Sequence, residues 1–272
     1  MKIFEALKTG LYYVLLILSK LIPARYAVVL TYHSVSNTES FFATPPEVFA
    51  KHVEYLRSNH AIVSLEQVFD FVRGKQDLPR GAVAITCDDG YYDNYANVYP
   101  LAKKYGIPLT IFVASEYVGK NMPLGNASLQ MLSWEQLREM AENDVTIGSH
   151  TLTHPDLRQI DIANARYEIE ESKTEIERKV GRTVGFFAYP KGSYSRSLFE
   201  LLESAAFKAA FRTADHTARK GDYEYELGRM SIDASVNFTR FRAKSTIAGE
   251  WFRQIEETAG RLLRALSILK DQ

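Results

Sequence analysis

The feature that most limits how this chain can fold is the regular recurrence of short, continuously apolar runs. They read "YAVVLTYH" (26–33), "AIVSL" (61–65), "GAVAITC" (81–87), "PLTIFVA" (108–114), "DVTIGSH" (144–150), "TVGFFAYP" (183–190) and "KAAFRT" (208–213), with a further strand expected in "YELGRMSI" (225–232). Runs without apolar–polar alternation are the mark of strands buried on both faces. Between them lie helical patterns. In "PPEVFAKHVEYLRSN", Phe49, Val53 and Leu56 share a face behind a proline start. "LEQVFDFVRG" and "NVYPLAKKYG" end at Gly74 and Gly106, and Ser133 with Gln136 forms a capping box for "SWEQLREMAEN". In the long helix expected at 161–181, Ala165, Ile169, Ile176 and Val180 fall on one side, and "SLFELLESAAF" supplies the next helix.

Strand–helix alternation of this kind predicts a parallel sheet with crossover helices. A chain of 272 residues suits a single α/β barrel. An open doubly wound sheet is the other arrangement with this pattern, but there is no GxGxxG fingerprint or Walker A sequence to mark one. Basic and acidic residues number 33 each with no basic block, which excludes a nucleic-acid partner recognised by charge. The single cysteine, Cys87, allows no intrachain disulfide and is expected to be a small buried strand residue rather than a nucleophile.

The polar residues with chemical capacity fall just after the strands: His33, Asp88, Asp89, His150 and Tyr189. In a parallel barrel those ends share one face, the face that carries active sites. "GSHTLTHPDL" places His150 and His154 four residues apart. Two neutral imidazoles and one carboxylate make a suitable set for a catalytic divalent cation, with positions left for water and substrate. The adjacent carboxylates of "TCDDG" can then divide the work, since neighbouring side chains of a strand point different ways. One is a ligand and the other a general base. Each motif alone is weak: Asp-Asp-Gly is a common turn signal.

Taken together, "AITCDDGYYDNYANVYPLAKKYGIPLTIFV", "IGSHTLTHPDL" and "FFAYPKGSY" resemble successive motifs of the polysaccharide deacetylases, the NodB-homology or carbohydrate esterase family 4 domain. The resemblance runs from about Tyr26 to Ile232, and the "YHSV" and "FAYP" segments are most similar to the poly-N-acetylglucosamine deacetylase type. It implies a distorted (β/α) barrel and metal-dependent removal of acetyl groups from a glycan. Asp88 then corresponds to the catalytic base, and Asp89, His150 and His154 to the metal ligands, with Thr151 bracing their loop. Zinc suits this donor set, and nickel, cobalt and manganese remain compatible.

The chain departs from the family pattern in two places. The third motif lacks its arginine and reads Ala188, Tyr189, Pro190, Lys191, so another group must orient Asp88; Arg229 is the candidate. The Lys191 backbone N–H is expected to serve as an oxyanion donor. The late histidine that acts as acid is also absent, and His33 is expected to replace it. His52 and His60 are expected to be structural or exposed, and His216 solvated. Tyr91, Tyr92 and Tyr189 are expected to offer faces to sugar rings.

Three segments are expected: 1–25, 26–240 as the deacetylase domain, and 241–272. The first has an apolar stretch from Leu11 to Leu18 that Ser19 and Lys20 interrupt, short of the roughly 20 residues a spanning helix needs. A signal segment, a membrane-surface helix and a helix packed on the barrel all fit it, and membrane association or the cell envelope is expected, with the cytoplasm left open. The last carries Trp251, Ile255, Leu262, Leu266 and Leu269 at helical spacing. The expected partner is an N-acetylated glycan; the oligomeric state is left open. The competing functions are hydrolysis of another amide, such as a lipid-linked amino sugar or a cyclic imide, and glycan binding without cleavage.

Overall fold

The computed structural model describes residues 2–22, 25–124 and 127–270. Its parallel strands are β1 (Val28–Tyr32), β2 (Ala61–Ile62), β3 (Ala82–Cys87), β4 (Leu109–Val113), β7 (Thr146–Ser149), β8 (Phe186–Ala188), β9 (Ala209–Thr213) and β10 (Leu227–Ser231); β5 (Asn121–Leu124) and β6 (Ala127–Gln130) form a separate antiparallel hairpin. The order β3-β4-β7-β8-β9-β10-β1 closes on itself because β1 pairs with both β10 and β3. The result is a closed parallel barrel of seven strands, with β2 outside the ring. β2 meets Ala82 and Val83 of β3, and β4 takes over at Ile85, so the two share one edge of β3. The apolar run 61–65 is therefore only partly strand. Ser64 ends it by capping α3 (Leu65–Val72) in a full capping box with Gln67.

Two apolar layers result. Val29, Ala84, Phe112, Phe186, Ala188 and Phe211 belong to one cluster, and α3 adds Leu65, Val68 and Phe71 to it, plugging the end of the barrel where the strands begin. The other cluster joins the outward-facing strand residues to the surrounding helices α2 (Pro46–Asn59), α4 (Tyr99–Tyr105), α5 (Trp134–Glu142), α6 (Ile162–Val180) and α7 (Phe199–Ser204). The residues expected on the inner faces of α2 and α6, Phe49, Val53, Leu56, Ala165, Ile169, Ile176 and Val180, are all buried.

α1 (Lys2–Ser19), α8 (Phe238–Lys244) and α9 (Ile247–Lys270) form a further helical layer. Tyr12 stacks on Phe252 at 3.8 Å and Lys8 pairs with Glu256, so α1 and α9 run antiparallel. The stripe expected on α9 is not its buried side: Phe252 and Ala248 are buried, Trp251 is half-buried and Ile255 is exposed. The side chains of Leu262, Leu266 and Leu269 lie outside the described ones. Glu250, also buried, accepts hydrogen bonds from Thr217 and Arg219 and ties α9 to the segment after β9. His216, expected to be solvated, belongs to that cluster, with Nε2 3.4 Å from Glu250. His52 is buried, stacked 3.6 Å from Phe241, and desolvation with the Lys51 charge lowers its pKa to about 3.

Candidate active site

At the C-terminal ends of the barrel strands lies a cavity of about 410 Å³. His33, Asp88, Asp89, His150, His154, Tyr189 and Lys191 all line it, from the ends of β1, β3, β7 and β8. Strand ends are close in space although their residues are far apart in sequence, so the fold gathers them.

β3 ends in a sharp turn. Asp89 has φ 70° and Gly90 φ 83°, and a Cβ on Gly90 would stand 2.8 Å from Val113 Cγ1. Only glycine fits there. This turn sends the two carboxylates in different directions. Asp89 Oδ1 lies 3.3 Å from His154 Nε2 and 3.5 Å from His150 Nε2. One donor atom from each of the three residues falls within 4.8 Å of the others, a spacing at which they can share a cation.

The donor chemistry fits as well. His150 Nδ1 stands 2.7 Å from the Ala188 carbonyl, which fixes the proton on that nitrogen and leaves Nε2 a lone pair facing Asp89. Desolvation above all, with the proximity of His150, lowers the His154 pKa to about 4, so its imidazole is neutral at neutral pH. The segment carrying His154 is held by two side chains. Thr151 Oγ1 donates to the His150 carbonyl and accepts from the His154 N–H at 3.0 Å. The buried carboxylate of Glu168, on α6, accepts from the N–H groups of Leu152 and Thr153 and from the Thr153 hydroxyl. Glu168 is not legible as a site residue from sequence; only its place on the largely apolar buried face of α6 marks it.

Asp88 points the other way, into the barrel, and meets Arg229. Both guanidinium nitrogens donate to it, Nη1 to Oδ1 and Nη2 to Oδ2, each at 2.6 Å. Arg229 is fully buried, donates also to Thr86 Oγ1, and lies 5.2 Å from the Phe112 ring centroid. Burial pushes the Asp88 carboxyl up, but the Arg229 charge, His150, the Arg229 hydrogen bonds and His33 together outweigh it and hold the group well below the usual carboxylate range. The bracing arginine absent from the third motif is thus present on β10. Cys87 is buried in β3, and desolvation with the neighbouring Asp88 and Asp93 charges pushes its thiol up, away from a nucleophilic thiolate.

His33 reaches the cavity on a loop fixed by residues just beyond the Asp-Asp-Gly turn. Asp93 accepts from Ser34 Oγ at 2.6 Å and the Val35 N–H at 2.8 Å, and Asn94 donates to the His33 carbonyl. Lys191 has φ 58°, and its N–H makes no hydrogen bond among the described residues. Gly192 follows with φ 65°, and a Cβ there would meet the Thr213 nitrogen at 2.9 Å.

The aromatic rim differs from expectation. Tyr189 is fully buried and its hydroxyl donates to the Tyr225 carbonyl, so it offers no face to a sugar. Tyr91 is buried as well, and desolvation with the neighbouring Asp89 charge pushes its hydroxyl pKa up. Tyr92 is exposed but does not line the cavity. The exposed aromatic that does is Phe42, whose ring centroid is 5.2 Å from that of His33, with Phe41 edge-on behind it. The only sequence signal for it is a Phe-Phe pair in a polar loop after the first strand.

A closed parallel barrel with an Asp-His-His cluster and a separately braced aspartate at one mouth defines a class of hydrolase scaffold. Comparison with known proteins supplies the family. The polysaccharide deacetylase profile matches residues 75–210, half of the 272 residues, and the chain belongs to that family. It is 28% identical over 223 residues to the putative polysaccharide deacetylase YxkH of Bacillus subtilis, covering 81% of this chain and 76% of that protein. It is 24% identical over 230 residues to the poly-beta-1,6-N-acetyl-D-glucosamine N-deacetylase of Staphylococcus aureus, covering 76% and 78%. The structure of IcaB from Ammonifex degensii superposes with a TM-score of 0.70 at 27% identity, over 81% of this chain and 97% of that one.

Proposed function

We propose that residues 26–240 form a deacetylase domain that hydrolyses N-acetyl groups of a polymeric glycan such as poly-N-acetylglucosamine, using a divalent cation held by Asp89, His150 and His154. The observation that carries this reading is the convergence of those three donors beside a carboxylate that Arg229 keeps ionised and out of the ligand set. The Staphylococcus relative is named for that polymer. A polymeric glycan substrate also suits a place at the cell envelope.

A divalent cation at this site supplies polarisation of the acetyl carbonyl and acidification of the attacking water. Asp88 takes the water's proton: its carboxylate is ionised at any working pH, and the Arg229 fork fixes its orientation. The Lys191 N–H donates to the oxyanion as negative charge develops, a role that needs a free backbone donor and no particular side chain. His33 gives a proton to the departing nitrogen, which would otherwise leave as an anion.

The test is acetate release from N-acetylglucosamine oligomers and from a lipid-linked N-acetylated sugar, read with bound metal. Release from the oligomers is expected, with about one ion per chain in the native protein and none in His150→Ala, which should also be inactive. Turnover of the lipid-linked sugar alone would transfer the reading to that substrate class. Glycan binding without acetate from the metal-loaded protein would establish a binding domain.

Phe42 stands where the sugar beside the reacting one would lie. Phe42→Ala is expected to raise KM for oligomers about two- to tenfold with kcat little changed, the scale of one lost ring contact. Steady-state kinetics on a trimer and a longer oligomer would check this; a fall in kcat alone would argue against a binding role.

A further inference from the structure

α1 is apolar on both sides. Tyr12, Leu15 and Leu16 are buried in a cluster with Ala243, Ala248 and Phe252. Facing solvent, Tyr13, Val14, Ile17 and Leu18 recur at the spacing of one helix face, Leu21 extends the patch in the turn after the helix, and all are exposed, Ile17 by 64% and Leu21 by 76%. A helix that packs on its own domain ordinarily presents polar residues outward. An uninterrupted apolar face of this kind marks an interaction surface.

At the foot of α1 lies a second unusual feature, a cleft lined by Lys20, Arg80 and Arg242 with Ser19, Tyr55 and Asn59, and by no carboxylate. Lys20, Arg80 and Arg242 form no salt bridge among the described residues, and Arg242 Nε is buried without a hydrogen-bond partner. Arg80 donates instead to the Lys20 carbonyl. Ile22, exposed, sits at the lip of the same cleft, so the cations and the apolar face are contiguous.

We propose that this face and cleft dock the protein on an anionic lipid surface, with the apolar side chains at the acyl boundary and a headgroup phosphate in the cleft. The inference is independent of the catalytic reading. A lipid interface offers an apolar layer edged by anions, which matches this surface in both respects. A second copy of the chain does not: residues 8–22 contain no acidic residue to meet the cations. No helix among the described residues is long and apolar enough to cross a membrane. The cleft includes Tyr26, His60 and Gly81, which immediately precede or begin the approach to β1, β2 and β3, so it lies at the end of the barrel opposite the catalytic mouth. Docking leaves that mouth open to a polymer.

The test is co-sedimentation of the full chain with vesicles of phosphatidylcholine alone or mixed with phosphatidylglycerol, at two salt concentrations. Binding to the anionic vesicles that weakens with salt is expected. Ile17→Glu with Leu21→Glu should abolish it. Lys20→Gln with Arg242→Gln should weaken it about thirtyfold and remove most of the salt dependence. Both pairs should keep wild-type acetate release from soluble oligomers and wild-type circular dichroism, which separates lost docking from lost folding. Failure of the wild-type chain to bind anionic vesicles overturns the proposal, as does binding that neither pair changes. A dimer by light scattering that Ile17→Glu converts to a monomer, with no vesicle binding, would assign the face to a second copy instead.

Discussion

Asp88→Asn is expected to reduce kcat for deacetylation by about a hundredfold to ten-thousandfold, the range for loss of a general base, while the protein still binds its metal through Asp89, His150 and His154. Asparagine has the shape of aspartate but cannot take the water's proton. Its amide also presents one N–H group where Arg229 presents another, because both carboxylate oxygens now accept from that guanidinium. A buried cation left without its counter-charge costs roughly 3–5 kcal/mol. The variant should therefore be both inactive and less stable, and the two effects must be separated. The double variant Asp88→Asn with Arg229→Met removes the stranded charge as well. It should regain part of the melting temperature and none of the activity. Calorimetry, bound metal and acetate release on the same three preparations would decide. Substantial turnover in metal-loaded Asp88→Asn would remove Asp88 from the role of base.

The strands and the larger helices were legible in the sequence because burial on both faces leaves a continuous apolar run and burial on one face leaves a helical period. The turn chemistry was legible too: Asp88, Asp89, His150 and His154 stand beside strand ends that any parallel barrel brings together. Arg229 is named from the sequence only as a candidate partner of Asp88, because the contact itself depends on closure. Asp88 and Arg229 are 141 residues apart and meet only because β1 lies between β3 and β10. That contact supplies what the motif without arginine seemed to lack. The β5–β6 hairpin was missed because its strands carry neither a clear apolar alternation nor a long apolar run. Its one signal was the Gly-Asn pair between them. It matters to the site, since Met122 lines the cavity and Met122 and Met131 pack against Tyr91. The exposure of the tyrosines is illegible for a related reason: how much of a strand-end residue the packing covers is set by local backbone geometry. Tyr91 and Tyr189 reach the cavity wall but are held almost wholly inside the packing, and Phe42, on an exposed loop, is the aromatic there with accessible surface.

Arg229→Met should destabilise the metal-free protein by roughly 3–5 kcal/mol at neutral pH, since it strands the Asp88 carboxylate in the barrel interior. The pH dependence identifies the cause. In the wild type the Asp88 pKa is depressed below its unfolded value of about 3.9. The folded state thus binds fewer protons than the unfolded state in that region, and the pair contributes stability that is complete above about pH 5 and lost as pH falls through 4 and below. In Arg229→Met the carboxyl is still buried while the largest charge opposing that burial is gone, so the Asp88 pKa shifts upward. The sign then reverses: the buried carboxyl favours folding while protonated and disfavours it as pH rises through the unfolded value. The stability gap between wild type and variant should accordingly be widest at neutrality and narrow steadily as pH falls through 4 and below. Urea unfolding of chelator-treated protein at several pH values would measure it. A gap independent of pH would mean that Arg229 acts through packing on Phe112 and not through its charge. Arg229→Lys should fall between the two, because a single ammonium keeps the charge but cannot hold both carboxylate oxygens in one plane. If orientation of the base matters beyond its ionisation, this variant should lose kcat by more than its small loss of stability would suggest.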